Sequence, residues 1–196
     1  MAQPIFQIFL GLNPALFGLA MTIPRIWDAF TDPVMGRISD RTQSRYGRRR
    51  PYVFFGALAV ALTFLTIWMV PQSMGDTGTF LWLTIGSVLF FTAFTVFSVP
   101  FNALVYEQTP DYHERTRLMF YLALFYNIGN LCVNWYVPAT NWSGFENPLV
   151  GARWIALGLA LVVFIGMGIL PAIFGKERFY NCLLYTSDAA DEELRV

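Results

Sequence analysis

Three charged residues stand inside one apolar stretch: Arg25, Asp28 and Asp32 in RIWDAFTDP, residues 25–33. Each would cost roughly 2.5–3.5 kcal/mol at the centre of a membrane helix. At 100° per residue the three fall within an arc of about 60° on one helix face, and Asp32 lies only about 10 Å along the axis from Arg25. Carboxylates one turn apart repel unless a cation or a proton sits between them. Arg25 can neutralise one of them, which leaves one net negative charge to be met by Na⁺, Li⁺ or H⁺. Carboxylate and hydroxyl oxygens are the donors that hard cations favour. The chemistry these residues offer is therefore reversible ion binding, and a static ion pair that only locks helices together is the competing reading. Gly18, Met21, Thr22 and Gly36 share the stripe, a small and polar seam suited to the interior of a helix bundle.

The rest of the chain says what positions that seam. Of 196 residues, 56% are hydrophobic and 13% charged, against about 25% charged in soluble domains. The charges cluster between long apolar runs, so the expected class is an all-α integral membrane protein. Five spans are expected, at about 14–36, 52–70, 79–106, 118–138 and 152–174, each long enough for a ~30 Å hydrocarbon core. Asn13 is placed to cap the first span and Pro14 to open it. Pro100 is expected to kink the third. Residues 1–12 read as the remnant of a preceding span and its loop, 13–180 as one helical unit, and the acidic tail 181–196 as non-domain sequence.

Basic residues fix the orientation. Arg37, Arg41, Arg45, Arg48, Arg49 and Arg50 lie between spans one and two, Arg115 and Arg117 between three and four, and Lys176 and Arg178 after five. The alternate loops hold only Arg153. The positive-inside rule puts loops 36–51 and 107–117 in the cytoplasm of a multi-pass cell (inner) membrane protein.

Other chemistries find little support. Zero net charge argues against nucleic acid, and Cys132 and Cys182 form neither a disulfide framework nor a metal-ligand spacing. His113, in a polar loop, reads as solvated. An intramembrane aspartyl protease needs two carboxylates from different helices, whereas Asp28 and Asp32 share one helix, so no enzyme is expected.

The string DAFTDPVMGRISDRTQSRYGRRRP, residues 28–51, is more specific. Its G-x-x-x-D-R followed by G-R-R-R, carried by Gly36, Asp40, Arg41, Gly47, Arg48 and Arg49, resembles the cytoplasmic loop signature of the major facilitator superfamily. Physically, Gly36 permits close helix approach, Asp40 can pair with nearby arginines, and the arginines can anchor the loop to anionic headgroups. With TVFSVPFNAL (95–104), DYHERTR (111–117) and PAIFGKERFY (171–180), the chain resembles the melibiose permease-like glycoside–pentoside–hexuronide:cation symporters over roughly residues 10–180. The resemblance implies a twelve-helix fold of which this chain holds family helices 2 to 6, with helix 1 and the C-terminal half lying elsewhere in the polypeptide.

The resemblance also implies roles. Asp28 and Asp32 would carry the coupling cation, with Thr31 beside them and Thr95, from family helix 4, completing the site. No other cofactor is implied. Ser98 and Asn102 on the third span, and Asn127, Asn130 and Asn134 on the fourth, are candidate contacts for a small-molecule substrate, or alternatively interhelical hydrogen-bond glue. Departures are informative. Ser98 replaces an acidic sugar ligand of the melibiose carriers, Asn102 a tryptophan, and Ala123 a sugar-binding arginine. The implied function is cation-coupled symport of a sugar or glycoside by alternating access. Symport of a lipid-like solute, or a receptor-like relative without transport, stays open.

Overall fold

A computed structural model describes residues 13–42, 44, 46–70, 75–107, 111–135, 138 and 148–174. The expectations for residues 1–12 and 181–196, and for Arg45, Lys176, Arg178 and Cys182, lie outside the described residues. Those described form α1 (Pro14–Arg41), α2 (Arg50–Trp68), α3 (Asp76–Glu107), α4 (Tyr112–Asn134), and α5 (Pro148–Val163), which continues through a π-helical turn (Phe164–Ile169) into α6 (Leu170–Phe174). No strand occurs among the described residues.

The five expected spans correspond to these helices, with shifted ends. Asn13 caps α1 as its residue type predicts, its Oδ1 accepting from the Ala15 N–H at 2.9 Å, and Pro14 follows in the first turn. α1 runs on past Gly36 to Arg41 because Ser39, Thr42 and Asp40 find partners there. α3 stays helical through Pro100. α4 begins at Tyr112, six residues before the expected span; the Asp111 side chain caps it by accepting from the His113 N–H at 3.1 Å. His113 therefore sits exposed in a first helical turn rather than in a loop.

Among the described residues, three segments are long and apolar enough to cross a membrane by length and composition: Arg50–Trp68, Asp76–Glu107 and Val150–Phe174. α1 and α4 have the length but carry the polar residues singled out above. The difference is physical, because the helices that hold charged and amide side chains are those least suited to lipid alone.

α2 runs antiparallel to α3 and to α5, and α3 is central, packed against both α1 and α2. One apolar cluster joins Ala20, Trp68, Leu83, Ala152 and Ala156 at the end where α1 and α5 begin. A second joins Val53, Ala57, Val60, Ala93 and Phe97 towards the other end. Backbones approach most closely at Gly56, where an added Cβ would stand 2.8 Å from the Phe97 Cα. Gly168 is as tight, with a Cβ 2.7 Å from that of Ala57. At Gly36 a Cβ would meet Val99 at an ordinary 3.8 Å. The close approach expected at Gly36 thus belongs to Gly56 instead. α4 differs from the other long helices: no residue from 111 to 131 is buried.

Candidate cation site

Two helices build the site. α1 presents Asp28 and Asp32 one turn apart, and α3 presents Thr95 opposite them. The Thr95 Oγ1 lies 2.7 Å from Asp28 Oδ1 and 3.0 Å from Asp32 Oδ1. Thr95 is 1% exposed, so water does not substitute for these partners.

A threonine hydroxyl has one proton and two lone pairs. It can donate to one carboxylate only. The second contact then sets a hydroxyl lone pair against a carboxylate oxygen, which is repulsive unless that carboxyl carries a proton or a cation lies among the oxygens. Three hard oxygens from two helices therefore converge where positive charge is needed. Asp28 is half-buried and Asp32 exposed, which leaves the arrangement open on one side. Thr31 is half-buried beside them, and its hydroxyl donates to the Asp28 carbonyl at 3.2 Å, so only its lone pairs remain for a ligand.

Arg25 does not take the position expected of it. Its guanidinium carbon lies 4.6 Å from the centroid of the Phe91 ring, and among the described residues it forms no ion pair with Asp28 or Asp32. Helical side chains lean towards the N-terminus, so Arg25 reaches away from Asp28, which follows it by nearly a turn. Both carboxylates are left without the guanidinium that the sequence offered them.

The remaining candidates separate. Ser98 is half-buried and follows Thr95 by about one turn of α3, and Asn102 is exposed. Asn127 and Asn130 donate from Nδ2 to the Ala123 and Tyr126 carbonyls of their own helix, at 2.7 and 3.1 Å. Both of these bonds stay within α4 rather than linking it to another helix. Asn134 ends α4, and its side chain lies outside the described residues.

Sequence reasoning missed several residues. Trp27 donates from Nε1 to Thr92 Oγ1 at 3.0 Å, a second polar link between α1 and α3. Thr92 precedes Thr95 by one turn and Phe91 precedes it by four residues, spacings that mark one helix face. Glu107 is the other omission. Its Oε1 accepts from Arg48 at 2.8 Å and from Arg49, whose other terminal nitrogen bonds Asp40 at 2.7 Å. The loop signature is therefore tied to the end of α3. Gly47 has φ 105°, a left-handed conformation that favours glycine, and closes a turn through its N–H to the Ser44 carbonyl at 3.0 Å. Arg41 lies exposed in the last turn of α1, where a cation suits the helix dipole.

An all-helical bundle with paired carboxylates facing a hydroxyl from a neighbouring helix, beside an arginine-rich loop signature, defines a multi-pass membrane transporter class. The chain belongs to the family described as MFS/sugar transport protein, which matches residues 6–181. It is 37% identical over 113 residues to an uncharacterized symporter of Synechocystis, covering 55% of this chain and 21% of that protein. YagG of Escherichia coli, which carries a provisional glycoside/cation symporter name, is 26% identical over 178 residues, 91% of this chain and 36% of its own. The sodium-dependent lysophosphatidylcholine symporter 1-A of Danio rerio is 34% identical over 114 residues, 56% of this chain and 21% of its own. The chain thus spans about a fifth to a third of the length of these relatives.

Proposed function

We propose that this chain is the part of a cation-coupled symporter that holds the coupling ion. The observation that carries the reading is the Thr95 hydroxyl within hydrogen-bonding distance of both Asp28 and Asp32. A monovalent cation among these oxygens satisfies the second carboxylate and joins α1 to α3. A solute in the neighbouring cavity then binds to a site already shaped by the ion, and two halves of the complete protein rock around it in alternating access. Na⁺ fits a set of oxygen donors; Li⁺ and H⁺ remain the competing ions.

The solute is a sugar or glycoside on the resemblance to glycoside symporters, with Ser98 and Asn102 nearest the ion along α3. A lipid-like solute is the second reading. It is favoured by the lysophosphatidylcholine symporters among the relatives and by the absence of the melibiose carriers' ligands at Ser98, Asn102 and Ala123. The basic loop 36–51 and the segment 107–117 face the cytoplasm of a cell membrane.

Uptake by the complete transporter in vesicles, under separate Na⁺ and proton gradients, tests both parts. Gradient-driven accumulation of glycosides supports the first reading and of lysophospholipids the second. Uptake indifferent to every cation gradient contradicts coupling altogether.

A further inference from the structure

α1 and α3 meet along one line of contacts that steps down both helices in the same direction. Arg25 lies over Phe91, Trp27 bonds Thr92, Asp28 and Asp32 share Thr95, and Gly36 faces Val99. The two threonines in that line differ in what they require. The Thr92 proton goes to the Val88 carbonyl at 2.7 Å, so its lone pairs are left to accept the Trp27 Nε1–H at 3.0 Å. An indole nitrogen only donates and this hydroxyl is set to accept, so the bond has one direction and needs no ion. Thr95 is the reverse case, with one proton for two carboxylates. Trp27 adjoins Asp28 in sequence and Thr92 precedes Thr95 by one turn, so the neutral link sits beside the charged one.

We propose that Trp27, through Thr92, is a positioning residue for the cation site; the inference rests on the reading of Asp28, Asp32 and Thr95 as that site. With no ion present, the second carboxylate and the Thr95 lone pair repel, which pushes α1 from α3. The Trp27–Thr92 bond opposes that separation, because it holds the same two helices one turn away whether or not the site is filled. The ion then meets an assembled set of oxygens instead of gathering them. Its apparent affinity scales with the fraction of empty sites that are assembled, so losing the bond weakens binding although no ligand is removed. Neither Trp27 nor Thr92 is itself an ion ligand.

The test is calorimetric titration of the complete transporter with NaCl at constant ionic strength, with thermal unfolding recorded in Na⁺-free buffer. Trp27→Phe keeps an aromatic ring and removes the donor; Thr92→Val keeps the shape and removes the acceptor. Each should raise the Na⁺ dissociation constant about fivefold, the scale of one neutral hydrogen bond. The double variant should bind no more weakly than either single one, since both remove the same bond. Thr92→Ser keeps the hydroxyl and should bind Na⁺ as the wild type does; the Thr92 pair decides the matter where Trp27→Phe folds poorly. Wild-type Na⁺ affinity in folded Trp27→Phe or Thr92→Val, with only the unfolding temperature lowered, makes the bond a plain structural contact and overturns the proposal. Fully additive losses in the double variant overturn it too. Asp28→Asn separates the two levels. If it abolishes Na⁺ binding while Trp27→Phe leaves binding intact, only the positioning role fails. If it binds Na⁺ normally, the site itself is refuted and the positioning role with it.

Discussion

α1 and α3 are joined by two acidic clusters that look alike in sequence and differ in charge balance. At the loop end, Asp40 and Glu107 face Arg48 and Arg49, two acids against two guanidinium groups joined by three ion pairs. In the span, Asp28 and Asp32 face a threonine hydroxyl and form no ion pair among the described residues, while Arg25 rests on Phe91. The first cluster is complete as protein. On the proposed reading, the second is completed by a positive charge from outside. A transporter needs one of each: a fixed joint that sets the angle between helices, and a joint whose closure depends on an ion.

Removing Arg49 should have the largest effect on folding. In Arg49→Gln, Asp40 and Glu107 lose their shared cation. Breaking a buried pair costs about 3–5 kcal/mol, and about 2–3 kcal/mol is expected here because Arg48 still reaches Glu107 and Asp40 is half exposed. Thermal unfolding should register the loss, and the cation dependence of substrate binding in the complete transporter should not move. A changed cation dependence would mean the two clusters are not separate.

Thr95→Val should act the other way round. It keeps shape and removes a hydroxyl bonded to charged groups, worth about 1.5–3 kcal/mol. Cation affinity should fall about tenfold or more, and Thr95→Ser should retain it. Equal affinity in the valine and serine variants would show that the hydroxyl is not a ligand.

Gly56→Ala tests the packing beneath both clusters. Its Cβ would meet the Phe97 backbone at 2.8 Å, two residues from Thr95. Overpacking costs about 1–3 kcal/mol, and the displacement of α3 should weaken cation binding alongside stability. Unfolding at the wild-type temperature would show that the helices separate freely there.

Arg25→Ala should be the mildest. A cation–π contact at an exposed site is worth about 0.5–1 kcal/mol. Stability should drop by that amount with the ion dependence intact. Severe misfolding rescued by the further change Asp28→Asn would restore the static ion pair that the sequence also allowed.

These contrasts mark what the sequence could and could not reveal. The helices were legible because long apolar runs bounded by Asn13, Pro51 and the basic loops leave few alternatives. The aspartate face was legible because helical spacing is fixed: Asp28 and Asp32 share a stripe in any α-helix. The partner of that stripe was not, since nothing in the spacing of one helix says which residue of another lies opposite. Thr95 was reached only through the family resemblance, and Trp27 with Thr92 escaped notice. Arg25 was misassigned because sharing a face ignores the direction in which a helical side chain leans. Glu107 escaped because a single acid at a helix end carries no pattern until the loop folds back on it. Gly36 drew attention for its place in a motif, whereas the contact that demands glycine falls at Gly56.

The central claim is that the span cluster holds the coupling ion. Its most direct test is substrate binding to the complete transporter against cation concentration, in Asp28→Asn and Asp32→Asn. Each change removes a charge and nearly keeps size. Cation stimulation should vanish in both while the proteins still fold, because the ion loses a charged oxygen ligand. Unchanged stimulation in both, at normal expression, would contradict the account.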